Sequence, residues 1–256
     1  MTWQDLRDVA SVDNSIAILP VGATEQHGPH LPLGTDTIMV EWICRQATDG
    51  LEGVAVAPAI PFGESDNHRA FPGTISLSLQ TLKSVICDIG CSLFRAGFDG
   101  VFIVNGHGGN TQTVAAAALE LRERTRCVVA QVMWTAMVDD AWHVMESPIV
   151  WHADEAETSQ MLAIAPELVH MDRAVSEVPS PVPFITFTEE ALLNVKIDIG
   201  LPATHALTQS GTIGEAELAR KEKGEAVLSQ AVPNLRRTIV ELQSALPILK
   251  AQAIDR

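Results

Sequence analysis

Apolar residues fall in two kinds of run along this chain. Four are short and nearly unbroken: IAILPVG (16–22), VAVAPAIPFG (54–63), VFIVNG (101–106) and CVVAQVMW (127–134). Each has the length of one strand, and continuous apolar character fits a strand buried on both faces. Between them the spacing changes to three and four. It predicts helices over Asp36 to Thr48, over 79–96 (LQTLKSVICDIGCSLFRA), over the Ala-rich 111–125, and through TSQMLAIA (158–165) from a start near Asp154. Residues 215–247 read as one or two closing helices, and 170–214, rich in Pro, Thr and Gly, as loops with an edge hairpin. Strand–helix alternation of this kind predicts an α/β fold with a parallel sheet covered on both faces. Neither a repeat nor a linker interrupts it, so a single domain over 1–256 is expected, long enough for a sizeable core.

In open parallel sheets, sites form beyond the carboxyl ends of the strands. Three polar loops fall there: GATEQHGPHLPLGTDT (22–37), GESDNHRAFPG (63–73) and NGHGGN (105–110). Glu25 and His27 are two apart, so in extended chain they point to the same side. Asp36 stands at a helix start, where Thr35 or Asp36 can equally be a simple N-cap. His107 lies between glycines directly after a buried strand, flanked by Asn105 and Asn110. Further on, HADEAETS (152–159) adds His152, Asp154, Glu155 and Glu157 around another helix start, where the macrodipole alone favours carboxylates. Histidines and carboxylates gathered at strand ends make a ligand set for paired divalent metals.

Composition narrows the field. A net charge of −15 without a basic cluster argues against a nucleic-acid backbone as partner. No apolar run approaches the roughly 18 residues of a membrane span, and MTWQDLRDVA lacks the features of a leader, so a cytoplasmic protein is expected. The cysteines (Cys44, Cys87, Cys91, Cys127) form no CxxC pair, which argues against a disulfide framework or a thiolate metal site. HExxH, GxSxG, GxxxxGK[ST] and GxGxxG are all absent.

LPVGATEQHGPHLPLGTDT, FPGTISL (71–77), NGHGGN and HADEAETS, in this order, resemble the creatininase (creatinine amidohydrolase) family, with a weaker continuation through SGTIGEAELARKEKG (210–224). The resemblance implies a three-layer α/β/α sandwich with a mostly parallel central sheet. It also implies a binuclear centre of two divalent ions (zinc first, manganese or iron as alternatives), hydrolysis of a non-peptide C–N bond in a small amide or cyclic amide, and a homo-oligomer, a hexamer. Carried over by position, Glu25, Asp36 and His107 correspond to ligands of one ion, and His27 with a bridging Asp36 to ligands of the other. Creatininase itself has a glutamate two residues after the histidine of its NGH motif, where this chain has Gly109, with Gly108 at the intervening aromatic position. Glu157 is taken as the replacement ligand, with Glu155 as the fallback. His152 matches a histidine at the substrate and is the expected acid, with Glu155 beside it as a second catalytic group. Ser65 and His68 are expected at the substrate rim, and the N–H groups of Gly108 and Gly109 at the developing oxyanion. Creatininase has a tryptophan four positions before that histidine, and here Pro148 stands there, which points away from creatinine. A formamide, peptide or sugar-derived substrate is the alternative within the family. A non-catalytic metal-binding or regulatory protein is the alternative outside it.

Overall fold

All four predicted strands pair into one parallel sheet: β1 (Ile16–Val21), β2 (Val54–Val56), β3 (Gly100–Asn105) and β4 (Val128–Met133), in the order β2-β1-β3-β4. The structure, a computed structural model, describes residues 1–179 and 203–254. Alternate side chains of the strands feed two separate cores. Ile16, Ile18, Phe102 and Val104 pack on one face against α2 (Thr35–Thr48) and α6 (Lys221–Ile254). Leu19, Val21, Val101 and Ile103 pack on the other against α3 (Leu79–Arg95) and α4 (Thr111–Thr125). α1 (Trp3–Ala10) covers Ala17 and Ala55, and α5 (Glu155–Ile164) packs on α2 and α6. This is the three-layer α/β/α arrangement with a mostly parallel sheet.

Three boundaries differ from expectation. VAVAPAIPFG is strand only to Val56, because Pro58 and Pro61 have no amide to give a ladder. The run still touches the sheet at Ile60, whose N–H donates to Pro20 O at 3.0 Å. Residues 215–247 do not fold as helix throughout. Glu215 belongs to β6 (Gly214–Glu215), which pairs antiparallel with β5 (Ser176–Glu177), and one helix then runs from Lys221 to Ile254. Pro233 and Pro247 lie inside that helix, which is held by Val227, Leu228, Ala231, Leu235, Ile239 and Leu246 in the core. Of the hairpin expected in 170–214, the described residues contain only the β5–β6 pairing, and 180–202 lie outside them. Among the described residues no helix is long and apolar enough to cross a membrane.

Candidate metal centre and active site

The chain leaves β1 for β2 on one side, while β3 lies on the other, so the loops after β1 and β3 diverge and open a crevice at the switch point. Asn110 ties its walls together. Its Nδ2 donates to Gly22 O at 3.0 Å and its Oδ1 accepts from Glu64 N–H at 2.9 Å, so one amide links the loops after β1, β2 and β3. Asn105 braces the third loop against the backbone of His107 in both directions. Gly109 is required by contact, since a Cβ there would lie 2.3 Å from Glu64 O and 2.5 Å from His107 Nε2.

Within the crevice Glu25, His27, Asp36 and His107 converge and are all buried. His27 Nε2 is 3.3 Å from Asp36 Oδ1. His107 lies between the carboxylates, with Nδ1 3.2 Å from Asp36 Oδ2 and Nε2 3.2 Å from Glu25 Oε2. Asp36 is not a cap: α2 is capped by Gly34 without a side-chain hydrogen bond, and Thr35 donates to Pro32 O. Glu25 Oε1 and Oε2, His27 Nε2 and Asp36 Oδ2 are buried without any hydrogen bond. Leaving a carboxylate so costs several kcal/mol, on the order of what ion burial costs in real proteins. Ser65 is buried beside them with its hydroxyl likewise unpartnered.

Electrostatics report the same crowding. Burial works against charge on His27, but Asp36, Glu157 and Glu25 outweigh it and lift its pKa to about 10. His107 reaches about 10 in the same way, with burial opposed by Glu25 and Asp36. The Asp36 carboxyl resists burial through His27 and His107 and stays well below the usual range, whereas burial dominates at Glu25 and raises it. His68 and His152 go the other way. Burial, then the positive charge on His27, pushes His68 down to about 3 and His152 well below its ordinary value, so both are neutral.

HADEAETS sends its acidic residues to different places. His152 exchanges backbone hydrogen bonds with Ile213 at 3.3 and 2.9 Å, which pins it over the crevice 3.8 Å from Glu25 Oε1. Ala153 follows in the left-handed region at φ 48°, an uncommon conformation for a residue with a Cβ. Asp154 caps α5 through the amide of Glu157 at 3.0 Å. The carboxylate of Glu155 accepts from the amides of Glu146 and Ser147 and pairs with Lys223, so the structure does not bring it into the cluster. Glu157 does reach it, with Oε2 3.8 Å from His27 Nε2. It is also the most exposed member, at 23% of its side chain, and burial raises its carboxyl to about 8. Gly108 faces open space, and His68 lies inside, Nε2 3.5 Å from Glu25 Oε1.

These residues fit a divalent cation. Ligand atoms of Glu25, His27 and Asp36 lie within 4.8 Å of one another, as do those of His27, His152 and Glu157, and of Glu25, His68 and His152. The ring orientations fit too, because a ligating imidazole gives its other N–H to a carbonyl or carboxylate. His27 Nδ1 donates to Glu25 O at 3.1 Å and His107 Nε2 to Glu64 O at 2.8 Å, which turns His27 Nε2 and His107 Nδ1 towards Asp36 as the atoms on which a cation would take the place of a proton.

Two contributors escape a reading of the sequence. Gln26 lies between two ligand candidates, where the alternation of an extended segment sends its side chain away from theirs. It meets His68 and His152 there, both far away in sequence. Asn110 stands in the sequence only as a flank of His107, and the convergence of three loops gives it its task.

Comparison with known proteins agrees with the geometry. The family model described as creatinine amidohydrolase matches residues 1–239. A creatinine amidohydrolase of Pseudomonas putida is 29% identical over 94% of this chain and 95% of its own. A mycofactocin precursor peptide peptidase of Mycolicibacterium smegmatis is 32% identical over 85% of this chain and 81% of its own. A solved manganese creatininase superposes with a TM-score of 0.80 at 27% identity, covering 94% of this chain and 96% of that one. With its loops, its buried carboxylate–histidine cluster and its sheet order, the chain belongs to the creatininase family of hydrolases.

Proposed function

We propose that this protein is a metal-dependent amidohydrolase that cleaves a non-peptide C–N bond of a small amide or cyclic amide at a centre of two divalent cations, zinc in the first place. The observation that carries the reading is the set of buried, hydrogen-bond-free donor atoms on Glu25, His27 and Asp36. Glu25, Asp36 and His107 would hold one cation, and His27, Glu157 and the shared Asp36 the other. Cations so held lower the pKa of bound water and polarise a substrate carbonyl.

The remaining work falls to the chain. Neutral His152 turns Nδ1 to the cluster and can take a proton there and hand it to the leaving nitrogen, which departs poorly as an anion. Ser65 lines the same space, and the amides of Gly108 and Gly109 stand at its edge to hold developing negative charge. Glu155 holds α6 to the loop before His152, which supports a framework role for it and leaves Glu157 as the carboxylate beside His152. The peptidase relative favours a second reading, in which the scissile amide belongs to a peptide.

Elemental analysis of protein purified without chelators tests the centre. About two ions in the wild type and one in Glu157→Ala are expected. Two ions in both would remove Glu157 from the ligand set, and none in either would overturn the reading. Hydrolysis of an amide panel, lost with chelator and regained with zinc, would identify the substrate class.

A further inference from the structure

The histidines around Glu25 are not equivalent. His27, His107 and His152 each give one ring N–H to a main-chain carbonyl, His152 through Nε2 to Gln26 O at 2.7 Å. A carbonyl only accepts, so the place of that proton is settled, and each ring presents its other nitrogen to the cluster. His68 has no such carbonyl. Its Nδ1 faces the side-chain amide of Gln26, with Nε2 of that amide 2.8 Å away, and Thr204 Oγ1 at 3.2 Å.

Which end of the Gln26 amide faces His68 is fixed independently. The N–H of Gly28 donates to Gln26 Oε1 at 3.0 Å, and Gln26 Nε2 donates to Gly211 O at 3.1 Å. Turning the amide over would set donor against donor at Gly28 and oxygen against oxygen at Gly211. With Nε2 at His68, its second hydrogen goes to His68 Nδ1, which must then be a bare acceptor. The His68 proton therefore sits on Nε2, the atom 3.5 Å from Glu25 Oε1. The approach of Gln26 Nε2 to His152 Nε2 at 2.9 Å is a packing contact, since both of its hydrogens are committed.

The cradle beneath the amide is built for it. Gly211 has φ +90°, and a Cβ there would lie 1.8 Å from Gln26 Oε1. Glu177 holds that turn from below, accepting from Gln209 N–H at 2.7 Å, Ser210 N–H at 3.0 Å and Thr208 Oγ1 at 2.5 Å. The SGT of residues 210–212 thus serves Gln26 rather than the cluster directly.

We propose that Gln26 is a positioning residue that sets what each histidine shows the substrate: a lone pair on His152 Nδ1 and an N–H on His68 Nε2. His68 is then a hydrogen-bond donor to the amide oxygen of the substrate and not a third imidazole ligand of a cation, although Glu25, His68 and His152 are close enough to make a metal triad. A neutral imidazole N–H held in place is an effective electrophile towards a developing oxyanion. The assignment of the oxygen rests on the amidohydrolase reading, and the assignment of the proton does not.

Nitrogen NMR of histidine-labelled protein tests it, in chelated and in zinc-loaded wild type and in Gln26→Glu, with His68→Asn to identify the resonances. Expected in both wild-type samples is a protonated Nε2 and a bare Nδ1 on His68. In Gln26→Glu the proton should move to Nδ1, because a carboxylate can only accept. A proton on Nδ1 in the wild type, or loss of the Nε2–H with a ligation shift on adding zinc, would overturn the proposal. If Gln26→Glu does not fold, the two wild-type spectra decide alone. If the protein takes up no metal, the hydrolase reading fails while the chelated spectrum still answers for His68.

Discussion

Glu25 and Glu155 are both buried carboxylates at the carboxyl edge of this fold, and they live in opposite conditions. Glu155 has two amide donors and a lysine, so its charge is spoken for inside the protein. Glu25 has neither oxygen hydrogen-bonded and is ringed by His107, His68 and His152 at ion-pair distance. The first arrangement is how a protein holds two elements together. The second makes sense only with a further positive charge, supplied by protons on the histidines or by a cation. Satisfaction of the carboxylate, and not its burial or its neighbours in sequence, separates structure from chemistry here.

The comparison can be broken first at Glu25. Glu25→Ala should lower metal affinity by more than the roughly 10–100-fold typical of losing an outer-shell partner. Its unfolding in chelator should stay close to wild type, as elemental analysis and calorimetry together would show. A mutant that kept its metal would erase the distinction. Glu155→Ala should do the reverse. Lys223 keeps Glu146 and Leu218 O, but the amides of Glu146 and Ser147 lose their acceptor, which costs about 1–3 kcal/mol, a drop of roughly 2–4 °C in Tm for each of them. Metal content should hold at the wild-type level. Asp154→Ala comes next: removing the α5 cap should cost about 0.5–2 kcal/mol, read by urea unfolding. Loss of metal as well would show that the cap also aims Glu157.

The smallest effect is at Glu177, a satisfied carboxylate near the surface. Its hydrogen bonds to Ser210, Thr208 and Gln209 offset burial and bring its pKa to about 2 from 4.5. A folded pKa below the unfolded one means stability that is present above pH 4.5 and lost as pH falls towards about 2. Wild type should therefore lose stability across that window faster than Glu177→Gln, measured by thermal unfolding from pH 5 downwards in chelator.

Much of the fold is legible because burial on both faces leaves an unmistakable apolar run, as in IAILPV and GVFIVN. The sequence under-specifies VAVAPAIPFG, where apolar content argues for strand and two prolines deny the ladder its donors. It also hides the β5–β6 pairing, two residues long and drawn from segments far apart. At the site, Glu25, His27, Asp36 and His107 can be picked out because they crowd strand ends with glycine and proline beside them. HADEAETS cannot be sorted in the same way. Asp154, Glu155 and Glu157 occupy one helix start, and while Asp154 finds an α5 amide three residues on, Glu155 and Glu157 are sorted by Lys223 and His27, which are far away in sequence. His68, expected at the rim, lies buried 3.5 Å from Glu25 Oε1, on a loop that Asn110 ties to its neighbours at Glu64.

Gln26 and Gly211 are separated by 185 positions, and the hydrogen bond between them closes under the two histidines. A ribosome must therefore carry this sequence as far as Gly211 before the crevice has its floor. A chain stopped short of residue 203 would already carry Glu25, His27, Asp36 and His107. It would lack the turn that orients Gln26. The turn that orients Gln26 thus arrives late in synthesis, after every residue of the buried carboxylate–histidine cluster.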